Sequence, residues 1–252
     1  MMSAGTMYFQ QLNRAWTIAR KDIRIYYLKG PVMIFGIIFP VFLFLSFMIG
    51  RNLTLPFVMP GLLGMVLFFT STAISPVVAP WETQARTLER LMSCPVTIPT
   101  IVLGDILASF VFGTLISLIP VIIGLALGMA ISNLLILLLG IILSAFCFSS
   151  MGLIFSAAPS NTPSNIMMLS SLIKFPLIFI SGIFIPLNEL PVWGRVISYI
   201  SPLTYFTDIA RHLIEKRGYL PISVDFSLLL ALTVFFFIVA AGLHQKTMPK
   251  RI

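Results

Sequence analysis

Apolar residues fall in six long runs, each broken by a short polar stretch. The runs are Pro31 to Gly50, Pro56 to Ala79, Ile101 to Ala130, Leu134 to Phe155, Ile166 to Ile185 and Ser223 to Leu243. A helix that crosses a bilayer needs about 20 predominantly apolar residues, so the pattern predicts six transmembrane helices. Ahead of the first run, Phe9, Leu12, Trp16, Ala19, Ile23 and Tyr26 recur at spacings of three and four, with Gln10, Asn13, Arg14, Thr17, Arg20, Lys21 and Arg24 on the other faces. That periodicity predicts an amphipathic helix over residues 8–29 lying in the headgroup plane. Gly30 and Pro31 mark its bend into the membrane.

The outer connections after runs one and three, Arg51 to Leu55 and Ile131 to Asn133, are too short to hold a domain. Pro186 to Ile222 is longer and carries a helical pattern at Trp193, Val196, Ile197 and Ile200, then at Leu203, Phe206, Ile209 and Leu213. Such a segment can dip into the bilayer only where its backbone is buried in protein or lines a cavity. The expected fold is therefore an all-α integral membrane protein. It has six transmembrane helices, an N-terminal interfacial amphipathic helix and a short outer helical segment, over residues 186–222, between spans five and six. No linker divides the chain, so residues 1–252 form one transmembrane domain.

Composition agrees: 58% of residues are hydrophobic, 10% are charged and the mean hydropathy is +1.04, more apolar side chain than a water-soluble core of this size can hold. The distribution of charge sets an orientation. With the N-terminus inside, ten of the sixteen Lys and Arg fall in cytoplasmic segments, five in outer segments, and Lys174 alone inside a span. Basic loops stay cytoplasmic, so both termini are expected inside a plasma or inner membrane. The net charge of +8 sits beside spans and builds no separate basic domain, which argues against nucleic-acid binding. The first 29 residues lack the form of a cleaved signal peptide. Cys94 and Cys147 are expected to be free thiols, and Trp16, Trp81 and Trp193 each map to a membrane boundary.

The densest polar feature is the island over residues 81–100, WETQARTLERLMSCPVTIPT. Glu82 and Arg86 are spaced i, i+4, which suits an acid-first pair on one helical turn, and Glu89 and Arg90 continue the polar surface. Leu88, Leu91 and Met92 supply an apolar edge, and Pro95 stops the helix. A short rod joined to two spans can pass movement between them and a partner. Lys174 lies near the middle of the fifth run, where a charge costs at least about 2.5 to 3.5 kcal/mol. Three roles are open to it: satisfaction by backbone carbonyls such as that of Leu172, freed by Pro176; a place in a polar translocation path; or an ion pair with Asp105.

Catalytic signatures do not occur. There is no phosphate-binding Gly-Lys-Ser/Thr loop, HExxH or nucleophile elbow, and His212 and His244 are the only histidines. No catalytic, cofactor or metal site is expected on the chain.

Two ordered segments resemble type-2 ABC exporter permeases. Glu82 to Asp105, ETQARTLERLMSCPVTIPTIVLGD, is similar to the loop between that family's second and third spans. Ser181 to Arg211, SGIFIPLNELPVWGRVISYISPLTYFTDIAR, is similar to its outer signature. The chain departs from the family pattern in lacking glycine before Thr87 and in carrying Asp105 where a basic residue is frequent. The resemblance implies a permease subunit that couples, through Glu82, Arg86, Thr87, Leu88, Glu89 and Arg90, to separate ABC ATP-binding subunits that hold ATP-Mg. It also implies a second permease chain, identical or paralogous, and export as the direction. The alternative is an ion-coupled secondary transporter, which calls for intramembrane carboxylates and internal repeats.

The charge asymmetry yields a topology test. Cys94 should react with a membrane-impermeant thiol reagent only in inverted or opened membranes, and Asn188→Cys should react in intact cells. Labelling of Cys94 from outside would overturn the orientation.

Overall fold

The structure, a computed structural model, describes residues 4–27, 32, 34–50, 54–160 and 162–251. Lys29, Gly30, Pro31 and Arg51, with the bend expected at Gly30 and Pro31, lie outside the described residues. Among the described residues every regular element is helical. In chain order, α1 spans Ala4–Asp22 and runs on as a π-helical turn, Ile23–Tyr27. A second π-helical stretch, Ile34–Ile38, leads into α2, Phe39–Met48. There follow α3, Leu55–Ser71; α4, Val78–Gln84; α5, Thr87–Met92; α6, Ile98–Ala126; and α7, Leu134–Ser156. The chain then forms α8, Pro163–Ile180; α9, Val192–Ser198; α10, Pro202–Ile214; and α11, Ile222–Thr247.

Among the described residues, four helices are long and apolar enough to cross a membrane: Ile98–Ala126, Leu134–Ser156, Pro163–Ile180 and Ile222–Lys250. Two shorter apolar helices, Gly36–Ser46 and Leu55–Ser71, fall below that length. The second expected run, to Ala79, is thus interrupted after Ser71. The physical reason lies in its polar end: Thr72 Oγ1 donates back to Phe68 O at 2.6 Å and Thr70 Oγ1 to Val66 O at 2.7 Å. Pro76 then removes an amide donor and disfavours helical geometry at Ser75. The fifth run likewise stops at Ile180, five residues early, because the chain turns through Gly182 at φ +76°.

Helix packing rests on small residues, since lipid tails give no hydrophobic drive for helices to associate. A Cβ on Gly113 of α6 would collide with Ser71 of α3, and one on Gly152 of α7 would collide with Ser75. Ser149 Oγ of α7 donates to Ser71 O at 3.3 Å. Three helices therefore meet at near backbone contact around Ser71. Above this point the main core gathers Leu63, Leu67 and Phe68 of α3, Leu137, Ile141 and Phe148 of α7, and Leu203, Phe206, Ile209 and Leu213 of α10.

Residues 186–222 hold the two helices α9 and α10. In α9, Val192, Trp193 and Val196 are exposed, as is Ile200 just after it. By contrast α10 is buried along nearly its whole length, wedged among α3, α7 and α11. Its polar groups are met within the protein: Thr207 Oγ1 donates to Leu203 O at 2.8 Å, and Asp208 accepts the Tyr219 and Leu220 amides.

The amphipathic pattern of α1 resolves into two apolar surfaces. Ala15, Ile18 and Ala19 are buried, and a Cβ on Gly104 of α6 would sit 2.7 Å from Ile18. Phe9, Leu12 and Trp16 remain exposed.

Gly113→Val should force α6 away from α3, at about 1 to 3 kcal/mol for overpacking, and lower the melting temperature of the detergent-solubilised protein. Gly242→Val, where nothing lies within 4 Å of a built Cβ, should leave it unchanged. Equal melting of both variants would show that the close approach is not a stability determinant.

Candidate functional site

The polar island between α3 and α6 folds as two short helices, α4 and α5, rather than one rod. Between them Arg86 takes a left-handed conformation, φ +52°. The break separates Glu82 from Arg86, and the expected i, i+4 pair does not form: Glu82 is buried and its carboxylate accepts from Lys21 of α1. Thr87 Oγ1 donates to Glu82 O at 3.2 Å and bridges the break. Leu88 is 1% exposed and packs with Ile18 of α1, Ala79 of α4, Ile101 of α6 and Met248 near the C-terminus. Arg86, Glu89 and Arg90 are exposed. The loop is thus fastened by Glu82 and Leu88 and turns three charges outward.

Further bonds fix the same surface. Arg14 of α1 donates to Pro95 O, and Thr100 Oγ1 donates to Gln11 Oε1 at 2.8 Å. Trp81 stacks on Tyr26 with ring centroids 5.3 Å apart. At the C-terminal end, Arg251 Nη2 donates to Ser156 O at 2.7 Å and Ala158 O at 2.6 Å, closing the end of α7. Cys94 is an exposed free thiol and Cys147 a buried one.

Lys21 belongs to a charge cluster that the sequence pattern does not single out. Its ammonium meets Glu82 and lies 3.0 Å from Asp22 Oδ1, an ionic contact that falls short of hydrogen-bond geometry. Asp22, Glu82 and Asp105 are all buried around this one cation. Burial opposes the charge on Lys21, but Asp22, then Glu82 and Asp105, outweigh it and push its pKa up. Asp22 is pushed up to about 6, chiefly by burial; Lys21 works against that shift and Glu82 with it. Only residues 82, 86, 89 and 90 stand out along the chain, because Lys21 and Asp22 read as the polar side of an amphipathic helix and Asp105 as a lone charge in a span.

Lys174 donates to Thr72 O, the carbonyl just past the end of α3, at 2.8 Å. A lysine at a helix C-terminus satisfies an orphan carbonyl and complements the helix dipole. The ion pair with Asp105 does not form, because Asp105 lies in the Lys21 cluster, and the acceptor is the end of α3 rather than the Leu172 carbonyl. Lys174 also lines an apolar cavity of roughly 310 Å³ with Phe39, Phe69, Met167, Ser170 and Phe175.

At the other end of the bundle, a cavity of roughly 200 Å³ is bordered by Gly182, Glu189, Asp208, Arg211, Glu215 and Tyr219. Arg211 pairs with Glu215 at 2.7 Å and donates to Gly182 O at 2.8 Å, fixing α10 to the end of α8. Burial lowers the Arg211 pKa, against Glu215 and Asp208, which raise it.

Helices long and apolar enough to cross a bilayer, with a charged loop folded onto α1, fit a subunit of a membrane transporter. The model of the ABC-2 type transporter family matches residues 13–214, and the chain belongs to that family of membrane-spanning ABC transporter permeases. It is 25% identical over 173 residues to YbhR of Escherichia coli K12, named a probable multidrug ABC transporter permease. That match takes in 66% of this chain and 45% of YbhR, so the chain spans about half the length of this relative. It is 23% identical over 194 residues to YadH of the same strain, named an inner membrane transport permease, across 75% of this chain and 74% of YadH.

Lys21→Met would leave Glu82 and Asp22 buried without their cation, a loss of about 3 to 5 kcal/mol when one partner of a buried pair is removed. The melting temperature should fall, and Lys21→Met with Glu82→Gln should recover part of the loss. The pH dependence has a defined sign: a carboxyl whose folded pKa is raised contributes stability at low pH that is lost as pH rises through about 6. Asp22→Asn should flatten the stability profile between pH 4 and about 7. Additive losses in the double variant would show that Lys21 and Glu82 do not interact.

Proposed function

We propose that this chain is the permease subunit of an ATP-driven exporter. Two permease chains, identical or paralogous, form a path between them and bind two ABC ATP-binding subunits at the cytoplasmic face. The single observation that carries the reading is the construction of the 81–100 loop: Glu82 and Leu88 are locked into the protein while Arg86 at the break, and Glu89 and Arg90 on α5, are exposed. A surface held that rigidly and charged on its outer side suits an interface that must transmit force. In this reading ATP-Mg sits on the partner, and closure of the partner pushes α4 and α5.

Six spans complete the arrangement, with α2 (together with the π-helical stretch before it) and α3 as the two shorter ones. The basic asymmetry supports both termini inside and residues 186–222 outside, with the whole chain acting as one domain. The cargo is an apolar or amphipathic organic molecule. Supporting this are the name of YbhR as a probable multidrug permease and the Phe-lined cavity that Lys174 borders. Lys174 would then hold the end of α3 and set the polarity of the path together.

The test is one assay on several variants, reading copurification of the ATP-binding subunit and cargo-dependent ATP hydrolysis. Glu89→Lys should insert and fold normally yet lose more than the roughly 0 to 1 kcal/mol of an exposed ion pair, because the glutamate is desolvated in the complex. Lys250→Glu, on an exposed residue of the tail, should behave as wild type. Lys174→Met should assemble but lose cargo stimulation. Wild-type values for changes at Glu89, Arg86 and Arg90 would remove the loop from the mechanism, and failed assembly of Lys174→Met would make that lysine purely structural.

A further inference from the structure

We propose that Asp208, His212 and Asp225 form a binding site for one divalent transition-metal ion, zinc or manganese, at the end of the bundle opposite the 81–100 loop. Asp208 and His212 stand one turn apart on α10, and Asp225 reaches them from the first turn of α11. One ligand atom from each side chain lies within 4.8 Å of the other two. Bonds of about 2.0 to 2.2 Å to one ion would draw these atoms closer together.

Each group is prepared for this role by its neighbours. Asp208 is buried, and its carboxylate accepts the Tyr219 amide at 2.8 and 3.1 Å and the Leu220 amide at 2.7 Å, bonds that hold the carboxylate in place. His212 Nε2 lies 2.5 Å from Leu220 O. As the donor in that bond it leaves the lone pair on Nδ1, the second-shell arrangement that orients a ligating imidazole. Gly218 closes over the ring, where any Cβ would collide with it. Asp225 is wholly buried, and neither of its oxygens has a hydrogen-bond partner.

The local charge is unbalanced. Among the described residues no lysine or arginine pairs with Asp208 or Asp225, and Arg211 is already engaged by Glu215 and Gly182. Two adjoining buried carboxylates need a proton or a cation between them. The imidazole converging on the same point favours the cation, since a proton shared by the carboxylates needs no third donor atom. One nitrogen and carboxylate oxygens suit zinc or manganese better than magnesium or calcium, which prefer oxygen alone. Three protein ligands leave a position for water from the neighbouring cavity, which Asp208 also lines. The site would fasten α10 to the start of α11, independently of how the loop at the other end couples.

The test uses the full-length protein in detergent, stripped with a chelator and titrated with zinc, manganese, calcium or magnesium chloride. Zinc or manganese should bind once per chain, raise the melting temperature and protect His212 from diethylpyrocarbonate. Asp225→Asn, which imitates a protonated carboxyl, and His212→Gln should weaken binding by about tenfold or more. The proposal is overturned if the stripped wild type binds neither metal, if His212 stays equally reactive when metal is bound, or if Asp225→Asn binds as wild type does. A stable Asp225→Asn variant beside a wild type without affinity for metal would assign the pair to a shared proton. The His212 protection on the wild type decides the matter even where a variant fails to fold.

Discussion

The end of this permease that carries the 81–100 loop depends on one ammonium placed among three buried carboxylates. Lys21 holds Glu82 of the loop, Asp22 beside it and Asp105 inside α6 in a single electrostatic unit. Such a cluster contributes little net stability, because desolvation consumes much of the Coulomb attraction. Its effect is positional. No one of α1, α4 and α6 can move alone without leaving a charge unpaired in a dry place, so α1, the loop and α6 behave as one body.

The opposite end is held by other means. There α10 is a helix of ordinary amphipathic sequence driven fully inside the bundle, and its burial is tolerable because every polar side chain that faces inward finds a backbone group. Arg211 reaches Gly182, Asp208 receives two amides of the following loop, and Thr204 Oγ1 donates to Ser198 O at 2.7 Å. In lipid such satisfaction is obligatory. Between the two ends, small residues tie the helices closely. The contacts of Gly113 and Gly152 with Ser71 and Ser75 bring three backbones together below the Phe-rich core.

Hydropathy made most of the helices legible, and the family resemblance was carried by two short segments that the structure places at opposite ends. What the sequence did not disclose was tertiary. The 3.6-residue period joined Glu82 to Arg86, but a left-handed Arg86 breaks the helix and a residue sixty-one positions earlier takes the glutamate. Local spacing competes poorly with a buried cation. The second run read as one span because Ser71, Thr72 and Ser75 are small enough to pass in a hydropathy window, although the Thr72 hydroxyl and Pro76 end the helix there. The outer segment was legible as helical, but its burial was not, since periodicity reports one apolar face and α10 is surrounded on nearly all sides.

The position of Lys174 links these observations. Its ammonium meets the buried carbonyl of Thr72, just past the end of α3, where that helix gives way to the turn that leads into α4. The same side chain borders the apolar cavity between α3 and α8. On the coupling reading proposed above, displacement of α4 must pass through residues 72–77 before it reaches α3, and this is the stretch to which α8 is tied through one bond. A lysine there costs several kcal/mol to insert. That cost is sensible where a tie must hold in an apolar setting yet exchange its acceptor for water or cargo when the helices shift. A methionine would fill the same volume and leave α3 with an unmet carbonyl at the point where movement has to be transmitted.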